Sequence, residues 1–460
     1  MNKIKSFIES KYFILSKTAL IHSKYYLKAK RILRKTGNLN KGEIKILQIE
    51  QIKKLVTYAY ENVEYYRDLF TSADFNPYNF SKIDDIKKIP YLTKDIIRKN
   101  PERLISKTFP KKYLKESKTG GSTGTPLSFY LDKRTSSPVE MAYLENMWRR
   151  IGYKLYDKCI VMRGEILDNI IEGKKYWKMN FSINWLSMST FHLTADTFPI
   201  YMEKIMNYRP KFIIAYPSVA YVLAYYMKTN NIKPLSSLKA IICSSETLYN
   251  WQRKFIQEVC KVRIYSYYGL SEKCCIASEC SNSSLYTFYP LYGFTELINN
   301  KDEWCTQENE KGEIVATGFN NYASPFIRYR TGDIGLFTKK KCNEANEWFT
   351  IKRIEGRIQD YLIDKFQNKI TFTNSDVPLM CVKEKINAYQ YVQNTKGKVS
   401  LNISVISTLS NNEIQDIKRT FHNYYHNFDI NINIVDNIPV TKSGKFKYLI
   451  QNIPNNFQEQ

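Results

Sequence analysis

Short apolar runs alternate with helical patterns through the middle of the chain. Residues 211–216, 238–243 and 262–267 read as strands. Between them, residues 218–228 and 249–261 repeat apolar side chains at helical spacing, with Trp251, Phe255 and Val259 on one face. Strands alternating with helices predict a parallel sheet covered on both faces. Such sheets bind ligands beyond the C-terminal ends of their strands. Two polar clusters fall there, Ser244-Ser245-Glu246-Thr247 and Tyr268-Gly269-Leu270-Ser271-Glu272.

Helical patterns also cover residues 44–70 and 136–151, and residues 88–95 read as a loop closing on the N-cap Thr93. Residues 312–317 read as another strand. Near the C-terminus, strand (399–406), helix (411–425) and strand (430–435) make a compact α+β unit. Residues 1–37 hold ten Lys/Arg and a single acid, Glu9, with Phe7, Ile8, Phe13, Ile14, Leu20, Ile21 and Leu27 at roughly helical spacing. A basic amphipathic helix of this kind can lie on an anionic membrane or pack its stripe on the protein body; packing is the expectation.

Composition narrows the classes. The 460 residues can bury one large core and a smaller domain. The 43% hydrophobic and 14% aromatic content exclude a disordered chain. A net charge of +25 points to an anionic partner (nucleotide, membrane surface or nucleic acid), although the basic residues are widely spread. No apolar run reaches the length of about 18 residues that a membrane span needs, and the N-terminus lacks the pattern of a signal peptide. Nine cysteines at irregular spacings fit reduced thiols in a cytoplasm. Cys274-Cys275, Cys280 and Cys305 lack a clean ligand spacing, so buried free thiols are expected there rather than a metal site.

Candidate chemistry centres on Lys118-Thr119-Gly120-Gly121-Ser122-Thr123-Gly124-Thr125-Pro126. Glycines let backbone approach a ligand closely, and hydroxyls add donors for phosphate oxygens. A flexible surface loop has the same composition. The common nucleotide-binding loop is excluded, because Lys does not follow the last glycine. The stretch resembles the phosphate-binding signature of the adenylate-forming (acyl-CoA synthetase) superfamily.

Five further stretches resemble that superfamily in its own order. Ser245 and Glu246 are similar to its adenine-side strand end, and Tyr268-Gly269-Leu270-Ser271-Glu272 fits its Tyr-Gly-x-Ser/Thr-Glu motif, with Ser271 as the hydroxyl. Tyr329-Arg330-Thr331-Gly332-Asp333 matches intact. Arg357-Ile358-Gln359-Asp360 resembles its hinge, with Gln359 where Asp is usual, and Thr441-Lys442-Ser443-Gly444-Lys445 its lysine loop. The upstream segments and the Tyr268 neighbourhood are most similar to the phenylacetate–CoA ligase branch, which includes CapK-type proteins encoded with capsule or polysaccharide genes.

The resemblance implies an α/β fold. A large domain, 1–356, would carry parallel-rich sheets flanked by helices, with a helical region over 1–110. A small mobile α+β cap, 357–460, would carry the lysine loop. It implies ATP and Mg²⁺ as cofactors and a small carboxylic acid as substrate, with CoA as acceptor or, alternatively, an amine or hydroxyl group. Thr119 to Thr125 would cradle phosphates, Tyr268 and Gly269 would receive adenine, and Asp333 would accept the ribose hydroxyls. Glu272 would hold the metal, Arg357 would reach phosphate or ribose, and Lys445 would be catalytic. CoA-forming members carry a Gly-rich turn where this chain has residues 363–369, which keeps the other acceptors open. A basic membrane- or nucleic-acid-binding protein on the same fold is the rival of a different class. The enzyme reading needs no nucleic acid and is set in the cytoplasm, with peripheral membrane contact through the basic N-terminus left open.

Overall fold

The computed structural model describes residues 21–119, 127–163, 176–190, 192–193, 197–345, 347–357, 361–372, 377–439 and 447–453. The chain divides into two compact units, one holding the described residues up to Ile354 and the other those from Glu355 onward.

In the first unit a hairpin, β1 (Leu114–Lys118) and β2 (Ser128–Asp132), precedes the main sheet. The main sheet takes in β3 (Cys159–Met162), β4 (Trp177–Asn180), β5 (Trp185–Met188), β6 (Phe212–Ala215), β7 (Ala240–Cys243), β8 (Arg263–Gly269) and β9 (Ile276–Cys280). It continues with β10 (Ser283–Phe288), β11 (Gly293–Ile298), β12 (Lys311–Gly318), β13 (Tyr329–Phe337) and β14 (Thr350–Arg357). The order across its twelve strands is β11-β12-β13-β14-β10-β9-β8-β7-β6-β3-β5-β4.

Two regimes meet in this sheet. From β5 through β3, β6 and β7 to β8 every pairing is parallel. Helices Pro217–Thr229 and Asn250–Cys260 are the crossovers from β6 to β7 and from β7 to β8. Each residue of β6 (Phe-Ile-Ile-Ala) and β7 (Ala-Ile-Ile-Cys) is buried, as strands covered on both faces must be. Beyond β8 the pairings of β9, β10 and β14, and of β11, β12 and β13, are antiparallel. Strands β9, β10, β11 and β13 carry buried polar side chains such as Ser278, Glu279 and Thr287, which blur the hydrophobic pattern.

The expected helix over 44–70 is two helices, Lys41–Asn62 and Glu64–Ser72, broken at the extended residue Val63. Helix Lys24–Thr36 packs on the body: Tyr26, Ala29 and Leu33 share a core with Ala142, Tyr143, Met147 and Trp148. Leu27, expected on that stripe, is instead 48% exposed. The apolar positions at 7–20 lie outside the described residues.

One expectation about the cysteines is overturned. Cys280 is not a free thiol; it forms a disulfide with Cys342, 62 residues away, their Cα atoms 6.3 Å apart. Cys280 ends β9 and Cys342 lies between β13 and β14, so the sheet order joins what spacing kept apart. Cys274, Cys275 and Cys305 are buried and free. Gly293 and Gly318 pack against the Cys274 backbone so closely that a Cβ on Gly318 would stand 2.7 Å from Cys274 Cα. Among the described residues no three His, Cys, Asp or Glu side chains converge as a metal site, and no helix is long and apolar enough to cross a membrane.

The second unit has a hairpin of β15 (Tyr361–Ile363) and β16 (Lys369–Thr371). It also has a four-stranded sheet made of β17 (Ile386–Thr395), β18 (Lys398–Val405), β19 (Asp429–Ile434) and β20 (Leu449–Gln451). Its order is β19-β18-β17-β20, with helix Asn411–Tyr424 between β18 and β19. That helix opens on a capping box, Ser410 with Glu413.

Candidate active site

The Tyr-Arg-Thr-Gly-Asp motif is a bulge. Ile314 of β12 alone faces the stretch Thr331-Gly332-Asp333 of β13, because Glu313 pairs with Ile334 and Val315 with Arg330. Gly332 takes φ +78°, which a side chain would strain. Glu313 pins both sides of the bulge, accepting Arg330 Nε–H at 2.6 Å and the Gly332 amide at 2.9 Å. Thr331 donates to the Ile314 carbonyl at 2.7 Å and accepts the Asp333 amide at 3.0 Å. The turn is rigid before any ligand arrives.

Two phenols tie this bulge to the turn after β8. Tyr268, at the end of β8, donates to Asp333 Oδ2 at 2.7 Å. In return Tyr329, at the start of β13, donates to Glu272 Oε1 at 2.7 Å. Burial first, then the adjacent carboxylate, push both phenols far above their ordinary pKa, so they remain donors. Asp333 and Glu272 are both buried, and Glu272 Oε2 has no hydrogen bond to a described residue. Gly269 and Ser271 are exposed beside them.

A second cluster stands at the C-terminal ends of the parallel strands. Ser245, after β7, is exposed and holds φ +70°. Its Oγ accepts Arg163 Nη2–H at 2.8 Å, and Arg163 Nη1 donates to Tyr267 OH at 2.6 Å. Glu246 accepts the Ser218 amide at 3.1 Å in the first turn of helix Pro217–Thr229, where a carboxylate is favoured. His192 is held by Ser189, Oγ to Nδ1 at 2.9 Å.

Thr119 stands at the base of its loop: its amide donates to the Leu127 carbonyl at 3.0 Å, and its Oγ1 accepts the Leu127 amide at 2.9 Å. Residues 120–125, Lys445 and the Arg357 side chain lie outside the described residues. Lys94 reaches the motif from upstream, with Nζ 3.2 Å from where a Cβ on Gly332 would stand. The segment carrying it is bridged to β13, the Leu92 amide donating to the Arg328 carbonyl and the Arg330 amide to the Leu92 carbonyl.

The sequence profile of the CapK C-terminal domain matches residues 362–452. Protein CapK of Staphylococcus aureus is 26% identical over 94% of this chain and 93% of its own length. The phenylacetate-coenzyme A ligase of Thermus thermophilus is 24% identical over 78% of this chain and 80% of its own. The chain is similar to the adenylate-forming ligases, in their phenylacetate–CoA ligase-like branch. A solved structure of 2-hydroxyisobutyryl-CoA ligase in complex with R3-HIB-AMP shares the fold of this ligase. Its TM-score is 0.72 at 14% identity, over 90% of each chain.

In this chain the motif residues come together as two hydrogen-bonded pairs, Tyr268 with Asp333 and Tyr329 with Glu272. Ser245 and Glu246 stand apart from them, bonded to Arg163 and to the Ser218 amide respectively. Arg163, Lys94 and Glu313 were not singled out by sequence. For Lys94 the signal was its place in a matched upstream segment; for Arg163 it was only a charge ending an apolar run.

Proposed function

We propose that this ligase activates a small carboxylic acid with ATP, giving an acyl- or aryl-adenylate and pyrophosphate, and then passes the acyl group to CoA. The observation that carries the reading is the reciprocal pairing of Tyr268 with Asp333 and of Tyr329 with Glu272. It holds two buried carboxylates in fixed positions beside the exposed Gly269 and Ser271. Asp333 would accept the ribose hydroxyls, as the two oxygens of one carboxylate can. Thr119, residues 120–125 and Arg357 would take phosphate oxygens.

A carboxylate oxygen attacks the α-phosphorus and the bond to pyrophosphate breaks. Two anions must approach, so positioning and charge neutralisation dominate. Lys445 would bridge them. The open Glu272 Oε2 suits a hard cation, and without a three-residue ligand cluster among the described residues the phosphates would complete the shell. Mg²⁺ bound there would draw charge off the phosphates. A thiol then attacks the acyl carbon and AMP leaves. Use of ATP agrees with a cytoplasmic setting.

A second reading, with an amine or hydroxyl of a polysaccharide precursor as acceptor, rests on the turn after β15. Asp364 is fully buried there and accepts the Phe366 and Asn368 amides and the Asn368 and Asn427 side chains. The turn is built on a carboxylate and lacks the glycines of CoA-forming relatives.

The test is pyrophosphate release with ATP, Mg²⁺ and a panel of carboxylates, with Lys445→Ala in parallel, each with and without CoA. Release that needs one acid and collapses in the variant supports adenylation. Faster turnover with CoA supports the thioester, and none favours the second reading. No release with any acid, together with no ATP binding, would sink the enzyme reading.

A further inference from the structure

Arg163 closes β3 at its C-terminal end, and its guanidinium is gripped by two hydroxyls, Tyr267 OH and Ser245 Oγ. Tyr216 donates to the Arg163 carbonyl at 3.0 Å. Tyr216, Ser245 and Tyr267 stand at the ends of β6, β7 and β8, so four neighbouring parallel strands converge on this residue. That is where open α/β sheets bind ligands.

Neither side-chain partner neutralises the guanidinium. Burial, ahead of every other influence, holds the Tyr216 phenol above its ordinary value. Of the carboxylates whose fields reach Arg163 or Tyr216, Glu140 is paired with Lys273 Nζ at 2.5 Å and Glu246 accepts the Ser218 amide. Among the described residues no carboxylate lies in ion-pair range of Arg163. A partly buried cation that no described carboxylate neutralises is costly unless an anion completes it. Guanidinium has five N–H donors, and two are spent here, which leaves a planar edge suited to a carboxylate.

Successive side chains on a strand point to opposite faces. Tyr268 turns to Asp333 while its neighbour Tyr267 turns to Arg163. Arg163 is therefore on the other face of β8 from the carboxylate assigned to the ribose, and the reacting carboxylate is already assigned to Lys445. We propose that Arg163 is a specificity residue for a second, non-reacting anionic group, so that the acid activated is a dicarboxylate or a comparable doubly anionic acid. This rests on the adenylation reading above.

The experiment compares matched aliphatic and aromatic mono- and dicarboxylates with the full-length protein. It follows pyrophosphate release with ATP and Mg²⁺, and calorimetric binding of each acid without ATP. Diacids should be favoured in kcat/KM. Arg163→Gln should lower the diacid-to-monoacid ratio by about tenfold or more, and Arg163→Lys, which keeps charge but loses the fork, should restore part of it. A wild-type enzyme indifferent to the second carboxylate overturns the proposal. Equal losses on both acid classes do so as well, because Arg163 would then serve the reacting group or the fold. Should no acid release pyrophosphate, adenylation fails by itself and binding decides: diacid binding lost in Arg163→Gln supports the anion site, and no diacid binding to wild type overturns it.

Discussion

Tyr268 donates its hydroxyl to Asp333 Oδ2 across 2.7 Å, although 65 positions of chain separate them. One phenol thus fixes the carboxylate of the most specific motif in the chain. Hydrogen bonds to charged groups contribute about 1.5–3 kcal/mol. Tyr268→Phe keeps the ring and loses that restraint. Nucleotide affinity should fall about tenfold while the thermal midpoint moves little. Titration with ATP checks this, and unchanged affinity would remove the orienting role.

The partner pair predicts a stability effect. Tyr329→Phe leaves Glu272 Oε1 buried without its donor, which is expected to lower stability by about 1–3 kcal/mol. Glu272→Leu in the same background should add less than it does alone, because both changes remove one contact. Denaturant unfolding of the two single variants and the double variant reads the coupling. Full additivity would mean that the pair is not energetically linked.

Thiol counting tests the correction to the cysteines. Denatured without reductant, the protein should expose seven reactive thiols, and nine after reduction. Cys280→Ser and Cys342→Ser should each give eight without reductant and share one lowered thermal midpoint. Nine thiols at the outset would show that the bond is not formed.

Strands β6 and β7 were legible because strands buried on both faces are unbroken apolar runs. The bulge was legible only as a motif. Nothing in Tyr329-Arg330-Thr331-Gly332-Asp333 indicates that its first residue serves Glu272, 57 positions upstream, or that Glu313 pins its middle. Such partners are set by the sheet order, in which β13 reaches β9 and β8 only through β14 and β10. The antiparallel half was hard to foresee for a related reason. Glu279 is fully buried on β9 because Arg253, from a helix, and the Ser266 amide complete it. Arg163 shows the same limit, since a single arginine after an apolar run gains meaning only when Ser245 and Tyr267 are brought to it.

An acid-limb prediction follows from Asp85. Its carboxylate accepts the Ser81 and Lys82 amides and pairs with Lys88, and these bonds, the Ser81 amide first, bring its pKa down to about 2. In an unfolded chain it titrates near 3.9. The folded value is the lower one, so the contribution is complete above about pH 4 and disappears as pH falls towards about 2. Asp85→Asn should be less stable at pH 7 and flatten the loss of stability between those limits. Chemical unfolding across that range measures it, and parallel acid limbs would refute it.

The basic N-terminal helix offers the last test, through Glu145. This fully buried carboxylate receives the Tyr26 hydroxyl, Lys30 Nζ at 3.2 Å and Arg149 Nη2 at 2.7 Å. Lys30 belongs to helix Lys24–Thr36, whereas Glu145 and Arg149 belong to helix Ser136–Arg149. Removing the carboxylate leaves Arg149 able to turn to solvent, since its side chain is 54% exposed, but Tyr26 stays buried without its acceptor. The loss should therefore be nearer the 1–3 kcal/mol of an unsatisfied donor than the 3–5 of a broken buried ion pair, on the order-of-magnitude scale of such groups. Glu145→Ala should unfasten helix Lys24–Thr36 before the rest, exposing Tyr26, Ala29 and Leu33 with the lysines around them. Limited proteolysis should then cut within residues 21–36, and the freed basic, apolar segment should gain affinity for anionic vesicles that the wild type lacks. Wild-type binding as strong as the variant's would mean that this helix meets membranes without leaving the body, and uniform proteolysis would mean that Glu145 fastens nothing.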